Sequence, residues 1–164
     1  MSQVTATLKF PSYILVKTFN IMSLIVPVIG KEFGPKIIPL IKGAEKTIDI
    51  IVYNWKWYPD QIGSSIQKFN NAIITVAQKG KRVRAITTSP YIDKILPRLN
   101  ISVKRFTSQK LLHTKLMIID GKTAVLGSHN YTMNAFTINY EVSVIIYDND
   151  VVKRLKKYFG NLWL

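Results

Sequence analysis

The chain has no cysteine, two histidines and nine acidic residues among 164. Without cysteine there is no disulfide, no thiolate nucleophile and no cysteine-rich zinc site. The absence agrees with a reducing interior, so a cytoplasmic location is the expectation, ahead of a secreted or periplasmic one. Long apolar runs are missing too. The greasiest N-terminal stretch, Ile21 to Gly30 (IMSLIVPVIG), is about half the ~20 residues a spanning helix needs, and Lys17, Asn20 and Pro27 break up its surroundings. No stable membrane insertion is expected. Lys9 and Lys17 precede that stretch as they would in a signal peptide, but no small-x-small cleavage pattern follows, and it reads as a buried strand.

Scarcity of acid leaves 23 Lys and Arg against 9 Asp and Glu, a net charge of +14 and a pI near 10.0. That balance suits a polyanionic partner, either nucleic acid or an anionic membrane surface. Apolar residues make up 48% with no low-complexity tract, as in a globular protein. The length fits a single domain over residues 1–164, of which residues 1–21 form an N-terminal extension.

Thr47 to Tyr53 (TIDIIVY) and Val83 to Thr88 (VRAITT) are β-branched runs of the kind buried on both faces of a sheet. Between them Ile62, Ile66, Phe69, Ile73 and Ala77 recur at helical spacing, with Asp60 as a candidate N-cap and Gly80 past the end. Phe33, Ile37, Leu40, Ile41 and Ala44 predict an earlier helix that Pro39 should kink or shorten. Ser89 and Pro90 predict the start of a short helix before the strand ISVKRF. The tail predicts a helix with Val151, Val152, Leu155 and Phe159 inward and Lys153, Arg154, Lys156 and Lys157 outward. The expected fold is α/β, a mixed and largely parallel sheet with helices on both faces.

Asp120-Gly121 between two apolar runs is a strong hairpin signal, because glycine accepts the positive φ of a type I′ turn. With those two as the loop, His113 stands opposite Ser128, and His113, Lys115, Ser128 and Asn130 share one face. A four-residue loop gives the same face, whereas a three-residue loop with a bulge brings Gly127 and His129 round instead. An imidazole, an ammonium, a hydroxyl and an amide form a phosphoryl-transfer set: a nucleophile or acid and base near neutral pH, with donors for phosphate oxygens. Glu141, a lone acid in the apolar run NYEVSVIIY, is the carboxylate available to orient an imidazole. The acids are too scattered for a two-metal site, so no metal or other cofactor is expected.

His113-x-Lys115, four residues, Asp120, six residues and Gly127-Ser128-x-Asn130 together resemble the HKD signature of the phospholipase D superfamily. Six fixed residues at about one in twenty each make a chance match at one start point roughly a ten-million-to-one event or rarer. Glu141 falls where small single-motif endonucleases of that superfamily carry a histidine-orienting glutamate. The resemblance implies a phospholipase D-like fold from about Met22 onward. Members with one motif dimerise so that a twofold axis passes through the site, and no second His-x-Lys exists in this chain. The implication is a homodimer to which His113, Lys115, Ser128, Asn130 and Glu141 are contributed twice. One His113 would attack phosphorus and the other would protonate the leaving oxygen, then activate water. Lys115 and Asn130 would clamp the phosphate, Ser128 would position it and Glu141 would orient an imidazole. Asp120 and Gly127 are structural members of the signature, and His129 is a packing or surface residue on the opposite face.

The superfamily acts on lipid and nucleic-acid phosphodiesters alike. High positive charge, no hydrophobic insertion loop and the segment YNWKWYP favour nucleic acid, DNA ahead of RNA, with Trp55, Lys56 and Trp57 stacking on bases and pairing a phosphate. The alternatives are a phospholipase D-type lipid phosphodiesterase, or a nucleic-acid-binding module with little catalysis.

Overall fold

The structure, a computed structural model, describes residues 24–164, and within them seven strands form one sheet. In chain order the elements are β1 (Ile25–Ile29), α1 (Phe33–Lys42), β2 (Thr47–Val52), α2 (Ser65–Gln78), β3 (Arg82–Thr87) and the short α3 (Ile92–Ile95). There follow β4 (Ile101–Arg105), β5 (Lys115–Ile119), β6 (Thr123–Gly127), the short α4 (Met133–Thr137), β7 (Val142–Ile146) and α5 (Asn149–Trp163). The sheet order is β1-β7-β6-β5-β2-β3-β4. The expected α/β class and mixed sheet are present, but the parallel part is the smaller: β2–β3 and β3–β4 are parallel, and the other four pairings are antiparallel. Parallel pairing needs a crossover, and two such connections run through α2 and α3. The Asp120-Gly121 turn instead reverses the chain at once, so the strands on that side run antiparallel.

Both faces of the sheet are covered. On one, Phe33, Ile37 and Ile41 of α1 and Phe69 and Ile73 of α2 pack over Ile48, Ile50, Val52, Met117 and Val125. On the other, Val152 and Phe159 of α5 cover Ile51, Ile86, Leu116, Ile118 and Ala124. The alternation of these two sets along β2 and β5 is the period-two pattern of strands buried on both sides. Asp49, buried within β2, is offset by Arg84 directly beside it on β3, with Nε 2.8 Å from Oδ1. The Arg84 guanidinium in turn lies under α5, 4.8 Å from the Phe159 ring centre.

Several boundaries differ from expectation for identifiable reasons. α2 is capped by Ser64, whose hydroxyl accepts from Gln67 N–H at 3.2 Å, so Asp60 is not the cap and Ile62 lies outside the helix, 71% exposed. Ser89 does not cap α3; its hydroxyl accepts from Trp55 N–H at 2.7 Å. α1 passes through Pro39 as one ten-residue helix. Val151 is exposed at the rim of α5. The stretch expected as a buried strand forms β1 at the sheet edge, paired antiparallel with β7 and with only Val28 fully buried, which is where Pro27 is tolerated. The expected extension over residues 1–21 lies outside the described residues. No described helix is long and apolar enough to cross a membrane.

The hairpin turn forms as expected, with φ of +55° at Asp120, +65° at Gly121 and Lys122 N–H donating to Ile119 O at 3.0 Å. The register does not. Ile119 pairs with Thr123 rather than Lys122, so Lys122 is an extra residue and Met117 stands opposite Val125. This is the three-residue arrangement, and it brings Gly127 rather than Leu126 into line with Lys115.

The Asp120 carboxylate leaves the turn to accept from three successive N–H groups at the start of β2: Glu45 at 2.8 Å, Lys46 at 2.7 Å and Thr47 at 2.8 Å. Burial works against its charge, yet these backbone donors and nearby Lys122 prevail and hold the carboxyl below the usual aspartate value. Asp120→Asn is expected to cost about 1–3 kcal/mol at neutral pH, read from the urea midpoint. Because the folded pKa is depressed, the carboxylate's contribution is present above the ordinary value and is lost as pH falls through the folded one. The gap between wild type and variant should therefore narrow on acidification, and a constant gap would refute the role.

Candidate active site

β2 and β3 end, and β5 begins, at one end of the sheet, where Lys115 pairs with Val52. The residues just past β2 are Tyr53 and Asn54, and those just before β5 include His113. In open α/β sheets the carboxyl ends of strands are where clefts form, and the candidate groups gather here. The His113 ring is exposed, 5.4 Å from the Tyr53 ring centre to centre, and has no hydrogen-bond partner among the described residues. Lys115 is buried; its ammonium donates to the His113 carbonyl at 2.8 Å and lies 5.5 Å from the Tyr53 ring centre. Burial pushes the Lys115 ammonium below the usual lysine value, and the charge of Glu141 partly offsets that fall.

Past Gly127 the chain leaves the β6 strand, and Ser128 and Asn130 are placed by hydrogen bonds of their own. The Ser128 hydroxyl donates to Glu141 Oε2 and accepts from Val142 N–H at 3.1 Å. Asn139 Nδ2 donates to the other oxygen, Oε1, at 3.0 Å, so Glu141 is held within the chain by a hydroxyl and an amide. Asn130 Oδ1 accepts from Asn54 N–H at 3.1 Å, and Tyr131 N–H donates to Asn54 O at 2.9 Å, which ties the end of the signature to the end of β2. Gly127 is required by contact: an added Cβ would sit 2.5 Å from Val142 O and closer still to Ser143.

His129 is a packing residue, stacked on Phe33 with ring centres 4.2 Å apart. Its Nε2 is 3.0 Å from the Gly30 carbonyl, which can only accept, so Nε2 carries the proton and Nδ1 accepts from the Ser143 hydroxyl at 2.7 Å. Burial lowers its pKa against the Gly30 bond and the Glu141 charge. It lies on the Lys115 side of the sheet, lining a small void with Lys115 and Tyr131, rather than on the opposite face. The one-residue bulge explains the difference.

Of the residues expected to meet nucleic acid, Trp55 does not face solvent. It is 2% exposed, its indole N–H donates to Asn70 Oδ1 at 2.9 Å, and its ring meets Tyr131 edge-on. Lys56 is exposed and Trp57 half-buried, and both line a groove of about 590 Å³ running from Asn54 to Ile95. The sequence reading missed Tyr53, Asn54 and Asn139. The signal available was position, since the first two directly follow a strand's carboxyl end. Among the described residues no three His, Cys, Asp or Glu side chains converge to hold a metal ion.

Over residues 37–163 the sequence matches the family described as cardiolipin synthase, PLD-like domain. A mitochondrial cardiolipin hydrolase of Xenopus laevis is 28% identical over 127 residues, 74% of this chain and 56% of that protein. One from Chlamydomonas reinhardtii is 28% identical over 120 residues, 73% of this chain and 52% of that protein. The chain thus spans about half the length of these relatives. Among solved structures, NucT from Helicobacter pylori superposes with a TM-score of 0.70 at 23% identity, over 85% of this chain and 94% of that one. Nuc from Salmonella typhimurium, a phospholipase D family member, does so with the same TM-score and coverage at 18% identity. At those identities the likeness is one of fold.

Titration of the Lys115 ammonium by NMR should show it losing its proton below the ordinary lysine range. In Glu141→Gln, with the offsetting charge gone, the titration should move lower still. A shift upward, or none, would contradict the electrostatic link between the two.

Proposed function

The chain belongs to the PLD-like domain family of the cardiolipin synthase type, and on that premise we propose that it is a phosphodiesterase acting through a covalent phosphohistidine on nucleic acid, DNA ahead of RNA. The observation that carries the reading is the pairing of an exposed imidazole, His113, with a buried ammonium, Lys115, at the sheet end where Asn130 and Glu141 also converge. A buried ammonium with one hydrogen bond, to a carbonyl, retains donors for an anionic oxygen. The imidazole has freedom to reach phosphorus.

In the first step a His113 nitrogen lone pair forms a bond to phosphorus while the bond to the leaving oxygen breaks. That oxygen takes a proton from a second imidazole. In the second step the same imidazole takes a proton from water, the water oxygen attacks phosphorus, and the P–N bond breaks to release the phosphomonoester. Lys115 and Asn130 would hold the non-bridging oxygens, whose charge grows in each transition state. The Ser128–Glu141–Asn139 chain would set the carboxylate's position. No metal takes part.

The second imidazole must come from elsewhere, because His129 is buried with both nitrogens engaged. A second copy of this chain supplies it in the proposed assembly. Exposed apolar side chains surround Glu141 at this end of the sheet: Ile138, Tyr140, Val142 and, paired with Val142, Ile29. An apolar collar beside half a catalytic set favours closure by a symmetric partner.

The names of the curated relatives favour one second reading, an anionic lipid phosphodiester as substrate. Wild-type protein assayed on plasmid DNA, single-stranded DNA, RNA and phosphatidylcholine or cardiolipin vesicles separates the two; lipid turnover without nucleic-acid cleavage would overturn the proposed substrate. His113→Ala is expected to lower cleavage about 10³-fold or more, with wild-type activity persisting in chelator. Activity that survives the substitution, or that chelator abolishes, would sink the mechanism, and binding without cleavage in wild type would make the protein a binding module. Tyr140→Asp is expected to give a monomer by light scattering and to lose activity with the dimer. A fully active monomer would end the shared-site proposal.

A further inference from the structure

The groove of about 590 Å³ starts where the candidate site ends. Tyr53 lies against His113, Asn54 donates its backbone N–H to Asn130, and the next residues along, Lys56 and Trp57, line the groove. Three residues of extended chain span at most about 10 Å, so its mouth is within one nucleotide's reach of the phosphate. The far wall is Tyr91, Ile92 and Ile95. Tyr91 is 75% exposed, its ring committed to no packing partner in the core. Trp57 is half-buried, and with Lys56 exposed beside it the walls pair aromatic surface with a cation.

Asn54 decides what such a groove is for. Its backbone is fully used, N–H to Asn130 and C=O from Tyr131 N–H, but its side-chain amide makes no hydrogen bond among the described residues. It stands half-buried at the mouth of a slot whose lining is mostly apolar and aromatic. An acyl chain offers nothing to an amide, whereas the edge of a heterocyclic base offers both donors and acceptors.

We propose that this groove seats the base of a nucleotide flanking the scissile phosphate, with Trp57 and Tyr91 stacking on its faces and the Asn54 amide meeting its edge. The proposal rests on the nuclease reading above. The base enters from a single strand, or from a duplex that has turned it out of the stack. Lys56 sits at the rim, where the adjoining phosphate would pass. The net charge of +14 draws the polyanion to the surface, and the groove then fixes which bond is presented.

The test uses full-length protein and a single-stranded thymidine oligomer, alongside the same oligomer with one base replaced by an abasic unit. Base–aromatic stacking is worth about 1–3 kcal/mol, so the wild type should cut at the abasic flank about tenfold more slowly. Tyr91→Ala and Trp57→Ala should slow the thymidine oligomer by a similar factor, with no further slowing at the abasic flank. Asn54→Ala should change the relative rates at the four bases, a readout that loss of packing alone would not produce. If wild type cleaves the oligomer but ignores the abasic unit, or if the aromatic variants slow both flanks equally, the base site is wrong while the nuclease reading stands. If wild type cleaves no nucleic acid, and Tyr91→Ala instead slows hydrolysis of cardiolipin vesicles, the groove is an acyl seat and both readings fall.

Discussion

Asp120 joins the two halves of the sheet. Its carboxylate reaches from the β5–β6 turn to three backbone N–H groups at the entry to β2, so the hairpin cannot slide along β2 without breaking charge-assisted bonds. Fixing β5 against β2 at that end fixes Lys115 against Val52 at the other. Everything proposed for the catalytic end depends on this. The spacing between Lys115 and Asp120 is then a mechanical statement: a strand of five residues, locked at the foot, with the ammonium at its head.

The second constraint is Gly127, where β6 and β7 approach too closely for any Cβ. Past it the strand ends, and individual hydrogen bonds take over the placement of side chains. Ser128 is held by Val142, Asn130 by Asn54, and Glu141 by the hydroxyl and amide on either side. Asn130 is thus positioned by a partner many elements away in sequence, Ser128 by the neighbouring strand and Glu141 by groups on both sides of it, a rigid setting for a reaction that needs oriented donors.

The fold class was legible because Ile48 to Val52 and Val83 to Thr87 are runs rich in β-branched residues with no glycine or proline, and because Asp120-Gly121 encodes positive φ at both positions. The candidate groups were legible as a set through their spacing. Their arrangement was not, since one extra residue, Lys122, shifts the pairing by one, and no side-chain preference at lysine marks a bulge. Trp55 looked like a surface aromatic because its partner, Asn70, is fifteen residues away on α2. Tyr53 and Asn54 were missed for a related reason: Asn54 acts through its backbone, which leaves no mark in composition. Ser89 was misassigned because a serine before proline suits a helix cap, while here the hydroxyl serves Trp55.

β1 closes one side of the sheet, and Pro27 sits at its midpoint. A proline has no N–H to offer an incoming strand, and the Pro27 carbonyl already accepts from the Lys36 ammonium at 3.2 Å. On the far side β4 carries Lys104 and Arg105, cations that discourage edge-to-edge pairing. Neither border invites another strand at those positions. Two copies of this chain would then meet end to end, each keeping its own sheet, and the seam between them would be made of side chains rather than of shared backbone hydrogen bonds. Such a seam can open and re-form without unravelling either fold.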